Sequence, residues 1–184
     1  LMMDEAKVEA YIRAFGIGAS TGIDLPGAET GIFRPRRDWS AISVTRLAMG
    51  HEMAVTALQL LNAINTIAND GYRMRPYVVQ QVVDPEGKVL HRGAPEVLAR
   101  PIRPEVATLM RRLMARVTEP DGTGRRAAVP GYRVCGKTGT AQKPIPGGYS
   151  DTENIASFVG FLPSEDPVFS LVVVVDAPVE PRTG

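Results

Sequence analysis

The chain has 184 residues, 44% of them hydrophobic and 22% charged, which suits one ordinary globular domain or a piece of one. Its formal net charge is +1, and the doublets Arg36-Arg37, Arg111-Arg112 and Arg125-Arg126 are too short and scattered for a nucleic-acid stripe, so nucleic acid is excluded as a partner. The single cysteine, Cys135, excludes an internal disulfide, and with only His51 and His91 far apart in sequence neither a metal nor a cofactor site is expected.

No stretch approaches a membrane-spanning run of about 18 apolar residues, and no signal peptide is present. The first residue is a leucine within what reads as continuing sequence, so any targeting or anchoring element is expected upstream.

In chain order, Val8, Tyr11, Ile12 and Phe15 make one apolar stripe and predict a helix over 4–15, with Asp4 at its start and Gly16 at its end. From Gly16 to Ser43 glycines, prolines and charges predict a long ordered loop anchored by Ile23, Leu25, Ile32, Phe33 and Trp39. A second helix is predicted over 57–69. Thr56 and Gln59 form a capping box, and Leu58, Leu60, Leu61, Ile64, Ile67 and Ala68 cover most of its circumference, as in a buried helix. Asn69-Asp70-Gly71 stops it.

Residues 77–83 and 88–92 predict a hairpin around Asp84-Pro-Glu-Gly87. A third helix starts at Pro104 and carries Val106, Leu109, Leu113 and Val117 along one face. Three strands are predicted at 132–140, 155–162 and 168–176. Ser164-Glu-Asp-Pro167 joins the last two as an antiparallel pair. The run from Phe169 to Val175 is nearly all apolar and reads as a central strand buried on both faces. The expected class is α+β, with helices packed on a largely antiparallel sheet.

The stretch Gly131-Tyr-Arg-Val-Cys-Gly-Lys-Thr-Gly-Thr140 supports two motif readings. Letter for letter it matches the phosphate-loop pattern G-x-x-x-x-G-K-[ST], and it also holds the Lys-Thr-Gly triplet of serine enzymes that react with β-lactams. A phosphate loop needs a buried strand before it and a helix opening at the lysine. Here Arg125-Arg-Ala-Ala-Val-Pro130 precedes the motif, and Gly139-Thr-Ala-Gln-Lys-Pro-Ile-Pro146 follows it and cannot open a helix. As a strand, Tyr132, Val134, Gly136, Thr138 and Thr140 share one face, with Arg133, Cys135 and Lys137 on the other. Twist and the nearby glycines can bring Lys137 to the same rim as Thr138. A cation beside a hydroxyl suits a substrate carboxylate, and Gly139 lets a ligand backbone lie against the strand. Taken alone, the triplet is better read as a strand with a solvent-facing lysine and a turn glycine, since short motifs match by chance.

Further stretches, in order, are Phe15-Gly-Ile-Gly18, Thr21-Gly-Ile-Asp-Leu-Pro-Gly27, Met49-Gly50, Val55-Thr-Ala-Leu-Gln-Leu60, Ile67-Ala-Asn-Asp-Gly71, Gly122-Thr-Gly124, Gly136-Lys-Thr-Gly-Thr-Ala-Gln142 and Ala156-Ser-Phe-Val-Gly-Phe161. On these the chain resembles the class B penicillin-binding proteins, the high-molecular-weight D,D-transpeptidases of cell elongation and division. The resemblance implies a β-lactamase/transpeptidase-like fold and places Lys137, Thr138 and Gly139 on a strand lining the active-site cleft. Lys137 would tune the cleft's electrostatics, Thr138 would bind the substrate's terminal carboxylate, and the backbone N–H of Thr140 would be one oxyanion donor. The implied partners are peptidoglycan stem peptides ending in D-Ala-D-Ala, β-lactam antibiotics, and divisome or elongasome membrane proteins. The implied location is the outer face of the bacterial cytoplasmic membrane.

The chain departs from the pattern where the nucleophile is concerned. No serine has a lysine three residues on; Ser43-Val-Thr-Arg46 comes closest, and an always-charged guanidinium cannot act as a base. Ser-x-Asn is absent too. Ala57 stands where a proline is usual, and His51-Glu52 lies in a segment more often rich in glycine and aromatics. His51 is expected to be a surface or loop residue, and Cys135 a packing residue facing away from Thr138. The expectation is therefore that residues 1–184 are the C-terminal portion of a transpeptidase domain, incomplete at its N-terminal side and inactive alone. A non-catalytic muropeptide- or partner-binding relative, a β-lactamase-like hydrolase or carboxypeptidase, and a nucleotide-binding module are the alternatives. Missing upstream strands would expose sheet edges, so a dimer or a marginally stable monomer is expected.

Overall fold

The computed structural model describes residues 4–179, in two units divided between Ala107 and Thr108. Every strand pairing in either unit is antiparallel, and helices accompany the sheets, as the α+β reading requires.

In the first unit, α1 spans Glu5–Ala14 and the expected stripe is only half-buried, with Tyr11 exposed. Asp4 stands at the N-cap but makes no side-chain capping bond, while Glu9 holds Arg13 one turn on at 2.9 Å. The segment that follows contains one short strand, β1 (Ile32–Phe33), which pairs with β2 (Met53–Ala54). Phe33 packs edge-on against Trp39 and lies under the Arg13 guanidinium. Leu25 and Ile32, expected as anchors, are exposed. Much of this segment is held by hydrogen bonds, and an apolar residue in an irregular chain need not face a core.

Helix α2 (Ser43–Ala48) precedes the most buried helix of the unit, α3 (Ala57–Ala68). The capping box is present in both directions, Gln59 N–H donating to Thr56 Oγ1 at 3.1 Å and Thr56 N–H to Gln59 Oε1 at 3.0 Å. No residue of α3 after Ala57 is exposed, yet three of its five fully buried residues are polar: Gln59, Asn62 and Thr66. Gln59 explains its own burial. Its Nε2 donates to Thr30 O at 2.7 Å and Ala19 O at 2.9 Å, tying the glycine-rich segment to the helix start.

Beyond β3 (Arg73–Met74), the predicted hairpin forms as β4 (Gln81–Val83) and β5 (Val89–Arg92), and β6 (Val97–Ala99) pairs back with β3. Its first strand starts at Gln81 rather than Tyr77 for a specific reason. The N–H groups of Val78 and Val79 donate to the Asp24 carboxylate at 2.9 and 2.8 Å, so they are not available to a ladder. These bonds hold the Asp24 carboxyl below its ordinary pKa.

Helix α4 (Pro104–Ala115) runs from the first unit into the second. Its stripe of Val106, Leu109 and Leu113 is exposed among the described residues, and Ala107, Met114 and Ala115 are buried instead. The helix is apolar on more than one side, and small alanines allow the closer approach. The second unit's sheet has the order β7-β8-β9, from β7 (Cys135–Ile145), β8 (Gly148–Leu162) and β9 (Phe169–Asp176). Strands β7 and β8 form a longer hairpin than expected, because Pro144 is accommodated in the ladder opposite Tyr149 and Gly147 turns the tip at φ 88°. Cys135, Val159 and Phe161 form the buried centre of this sheet.

The expectation of a doubly buried central strand at 169–175 is corrected. Among the described residues strand β9 pairs with β8 alone, and Phe169, Leu171, Val173, Val174 and Val175 are exposed. Apolar content records what a strand could bury, whereas the layers packed on it decide what it does bury.

Replacing Gln59 by Leu should destabilise the first unit by about 3 kcal/mol, since it leaves buried carbonyls without donors; urea unfolding followed by Trp39 fluorescence measures this, and a loss near zero would refute it. A carboxyl with a lowered folded pKa contributes stability above its unfolded pKa that is lost as pH falls through the folded one. Unfolding midpoints followed from about pH 6 down to about pH 2 should therefore fall less for Asp24→Asn than for the parent chain. Parallel curves would contradict that role for Asp24.

Candidate active site

The residues of the Lys-Thr-Gly motif sit on β7, and the ladder decides where they point. Ala177 N–H donates to Asn154 O at 2.9 Å and Val168 N–H to Leu162 O at 3.0 Å, so even-numbered residues of β8 turn their backbone groups toward β9. Odd-numbered residues of β8 therefore face β7, across an unslipped register that pairs Cys135 with Phe161, Lys137 with Val159 and Gly139 with Ser157. It follows that Gly136, Thr138 and Thr140 turn their N–H and C=O away from β8, off the open edge of the sheet.

Lys137 bends to the same edge, its Nζ donating to the Thr138 carbonyl oxygen. The ammonium of Lys137 therefore lies beside the backbone groups that Thr138 and Thr140 turn to this edge, with the Thr138 hydroxyl nearby. That hydroxyl lies 3.1 Å from Thr123 Oγ1. Thr123 carried no role in the sequence reading, although its setting between Gly122 and Gly124 was already noted. Its approach depends on a fold in the chain, Gly124 N–H donating back to Val117 O at 2.8 Å.

Two glycines of the motif leave room for side chains of β8. A Cβ on Gly136 would stand 2.3 Å from Phe158 Cζ, so this glycine lets the Phe158 ring lie across the strand. A Cβ on Gly139 would stand 2.5 Å from Ser157 Oγ. The room left at Gly139 faces Ser157 of the neighbouring strand. Beside Thr138 lies an open groove of about 840 Å³, whose walls include Thr123, Phe158, Leu171 and Val173.

Cys135 is fully buried, its Sγ 3.1 Å from Arg111 O, and burial pushes the thiol's pKa up. A packing role fits that environment. His51 is half-buried in the first unit, and its neighbour Glu52 accepts from Ser43 Oγ at 2.7 Å and pairs with Arg34 and Arg46. Those contacts, the Ser43 bond foremost, hold the Glu52 carboxyl below its ordinary pKa. The phosphate-loop reading fails on geometry, since residues 135–145 form one strand and no helix opens at Lys137. No described helix is long and apolar enough to cross a membrane.

Comparison with known proteins agrees with the strand reading. The chain is 36% identical to penicillin-binding protein PbpB of Mycolicibacterium smegmatis, over 94% of this chain and 28% of that protein. It is 34% identical to a probable peptidoglycan D,D-transpeptidase, PenA, of Neisseria meningitidis, over 91% of this chain and 27% of the relative. The chain thus spans little more than a quarter of these relatives' length. A crystal structure of penicillin-binding protein 3 from Mycobacterium tuberculosis, complexed with aztreonam, superposes with a TM-score of 0.91 at 32% identity, covering 95% of this chain and 41% of that one. The family model for the penicillin-binding protein transpeptidase domain matches residues 1–183, and the chain belongs to that family.

Proposed function

We propose that this chain is the C-terminal portion of a transpeptidase domain that cross-links peptidoglycan through a serine acyl-enzyme. The observation that carries the reading is the open edge of β7, where Lys137, the Thr138 hydroxyl and the Thr140 N–H lie along one rim. In the proposed reaction a serine outside this chain attacks the carbonyl of the D-Ala-D-Ala bond in a stem peptide. The Thr140 N–H and the serine's own N–H stabilise the oxyanion, and D-alanine leaves. An amine of a neighbouring stem peptide then takes the acyl group and frees the serine. Thr138 binds the substrate's terminal carboxylate, Gly139 keeps the strand flat beside it, and Lys137 supplies positive potential to that anion and to proton transfer.

A β-lactam carries a comparable carboxylate and a reactive carbonyl, so it would be captured by the same groups. The whole protein would act on the outer face of the bacterial membrane, anchored by a segment outside residues 1–184 and working among membrane proteins of elongation or division. Residues 1–184 alone would be inactive, since no Ser-x-x-Lys occurs in them. With β9 so exposed, they would also dimerise or melt readily.

Intact mass after incubation with a penicillin should show an adduct on the full-length protein and none on residues 1–184. Adducts on neither would favour a non-catalytic relative that binds muropeptides or partners, and a label on the shorter chain would place the nucleophile inside it. In the full-length protein, Thr138→Val should slow acylation about tenfold, and Lys137→Met about a hundredfold; rates equal to the parent's would remove these residues from the site. Sedimentation of residues 1–184 as a strictly monomeric, high-melting species would count against the exposed-edge argument.

A further inference from the structure

We propose that Ser157 is a positioning residue for the peptide group joining Gly139 to Thr140, and so for the N–H that Thr140 turns to the open edge of β7. The inference rests on the transpeptidase reading above and adds a residue to it.

Ser157 stands directly across from Gly139 in the β7–β8 register. Its Oγ donates to Gly139 O at 3.5 Å, a long hydrogen bond. By the same parity, the Ser157 N–H is a ladder donor facing that carbonyl. The Gly139 carbonyl and the Thr140 N–H belong to one planar trans peptide, in which they point in opposite directions. Holding the carbonyl against β8 therefore aims the N–H outward, and donation to the oxygen polarises the N–H as a donor. An oxyanion donor is useful only when its direction is set before charge develops.

The space around Gly139 gives an independent argument. Among the described residues outside its chain neighbours, a Cβ at 139 would meet Ser157 alone within 4 Å, with Oγ at 2.5 Å and Cβ at 3.9 Å. Gly139 does not have a positive φ, so its backbone conformation does not require a glycine. One hydroxyl is what excludes a side chain there. The glycine leaves a gap on the Lys137 face of the sheet, and the Ser157 hydroxyl fills it. A methyl at 139 would displace either the hydroxyl, removing its bond to the Gly139 carbonyl, or the strand, tilting the peptide that carries the Thr140 N–H.

The test uses the full-length protein and a fluorescent penicillin, separating the dissociation constant of the initial complex from the acylation rate constant. Ser157→Ala should lower the acylation rate constant about three- to tenfold and leave initial binding unchanged. Gly139→Ala should lower it about a hundredfold, and adding Ser157→Ala should restore about tenfold of that loss. Acylation by Ser157→Ala at the parent rate, or a double variant no faster than Gly139→Ala, overturns the proposal. If Gly139→Ala does not fold, the same coupling is read in melting temperature: recovery in the double variant supports it, and no recovery overturns it. A parent protein that takes up no penicillin sinks the transpeptidase reading instead, a result distinct from either failure of Ser157.

Discussion

The pairing of β7 with β8 sets the geometry on which the candidate site depends. From Cys135 to Gln142 the register runs without a slip, and alternation alone then assigns each backbone group to the ladder or to the open edge. A shift of one residue would turn the groups of Thr138 and Thr140 inward and move Phe158 off the strand face. The register is held by shape as much as by hydrogen bonds. Phe158 lies where Gly136 has no side chain, and Ser157 where Gly139 has none, so two neighbouring residues of β8 each occupy a gap on opposite faces of β7.

Polar side chains organise much of the first unit, and one of them, Gln59, is buried where an apolar core would be expected. Gln59 closes the capping box of α3 and donates to the carbonyls of Ala19 and Thr30, which belong to a segment with little regular structure of its own. Asp24 does similar work by accepting the N–H groups of Val78 and Val79. Glu52 gathers Ser43, Arg34 and Arg46. Long irregular chain must satisfy its backbone groups somewhere, and here Gln59 and Asp24 each meet more than one of them, while Glu52 ties side chains together.

Much of the architecture was legible from local pattern. Residues 5–14, 57–68 and 104–115 are helical where apolar periodicity and capping residues put them, and the turns at Asp84–Gly87 and Ser164–Pro167 join antiparallel strands. What failed was burial. Leu25, Ile32, Leu109, Leu113 and the valines of β9 are exposed, while Gln59 and Thr66 are not. Hydropathy describes a residue's preference, but its exposure is set by whichever element lies opposite.

At the site the division is similar. By itself the sequence determined the chemistry available: a lysine, a threonine and a glycine on a strand, with no helix able to start at the lysine and no Ser-x-x-Lys within these residues. Those conclusions follow from residue type and nearest neighbours, which any local stretch contains. Only the tertiary structure decided which β7 groups face the open edge, that Thr123 meets Thr138, and that Gly139 is small because of Ser157. Each of these is a contact between residues at least 15 positions apart or a consequence of register, and local sequence carries no record of register until the strands have paired.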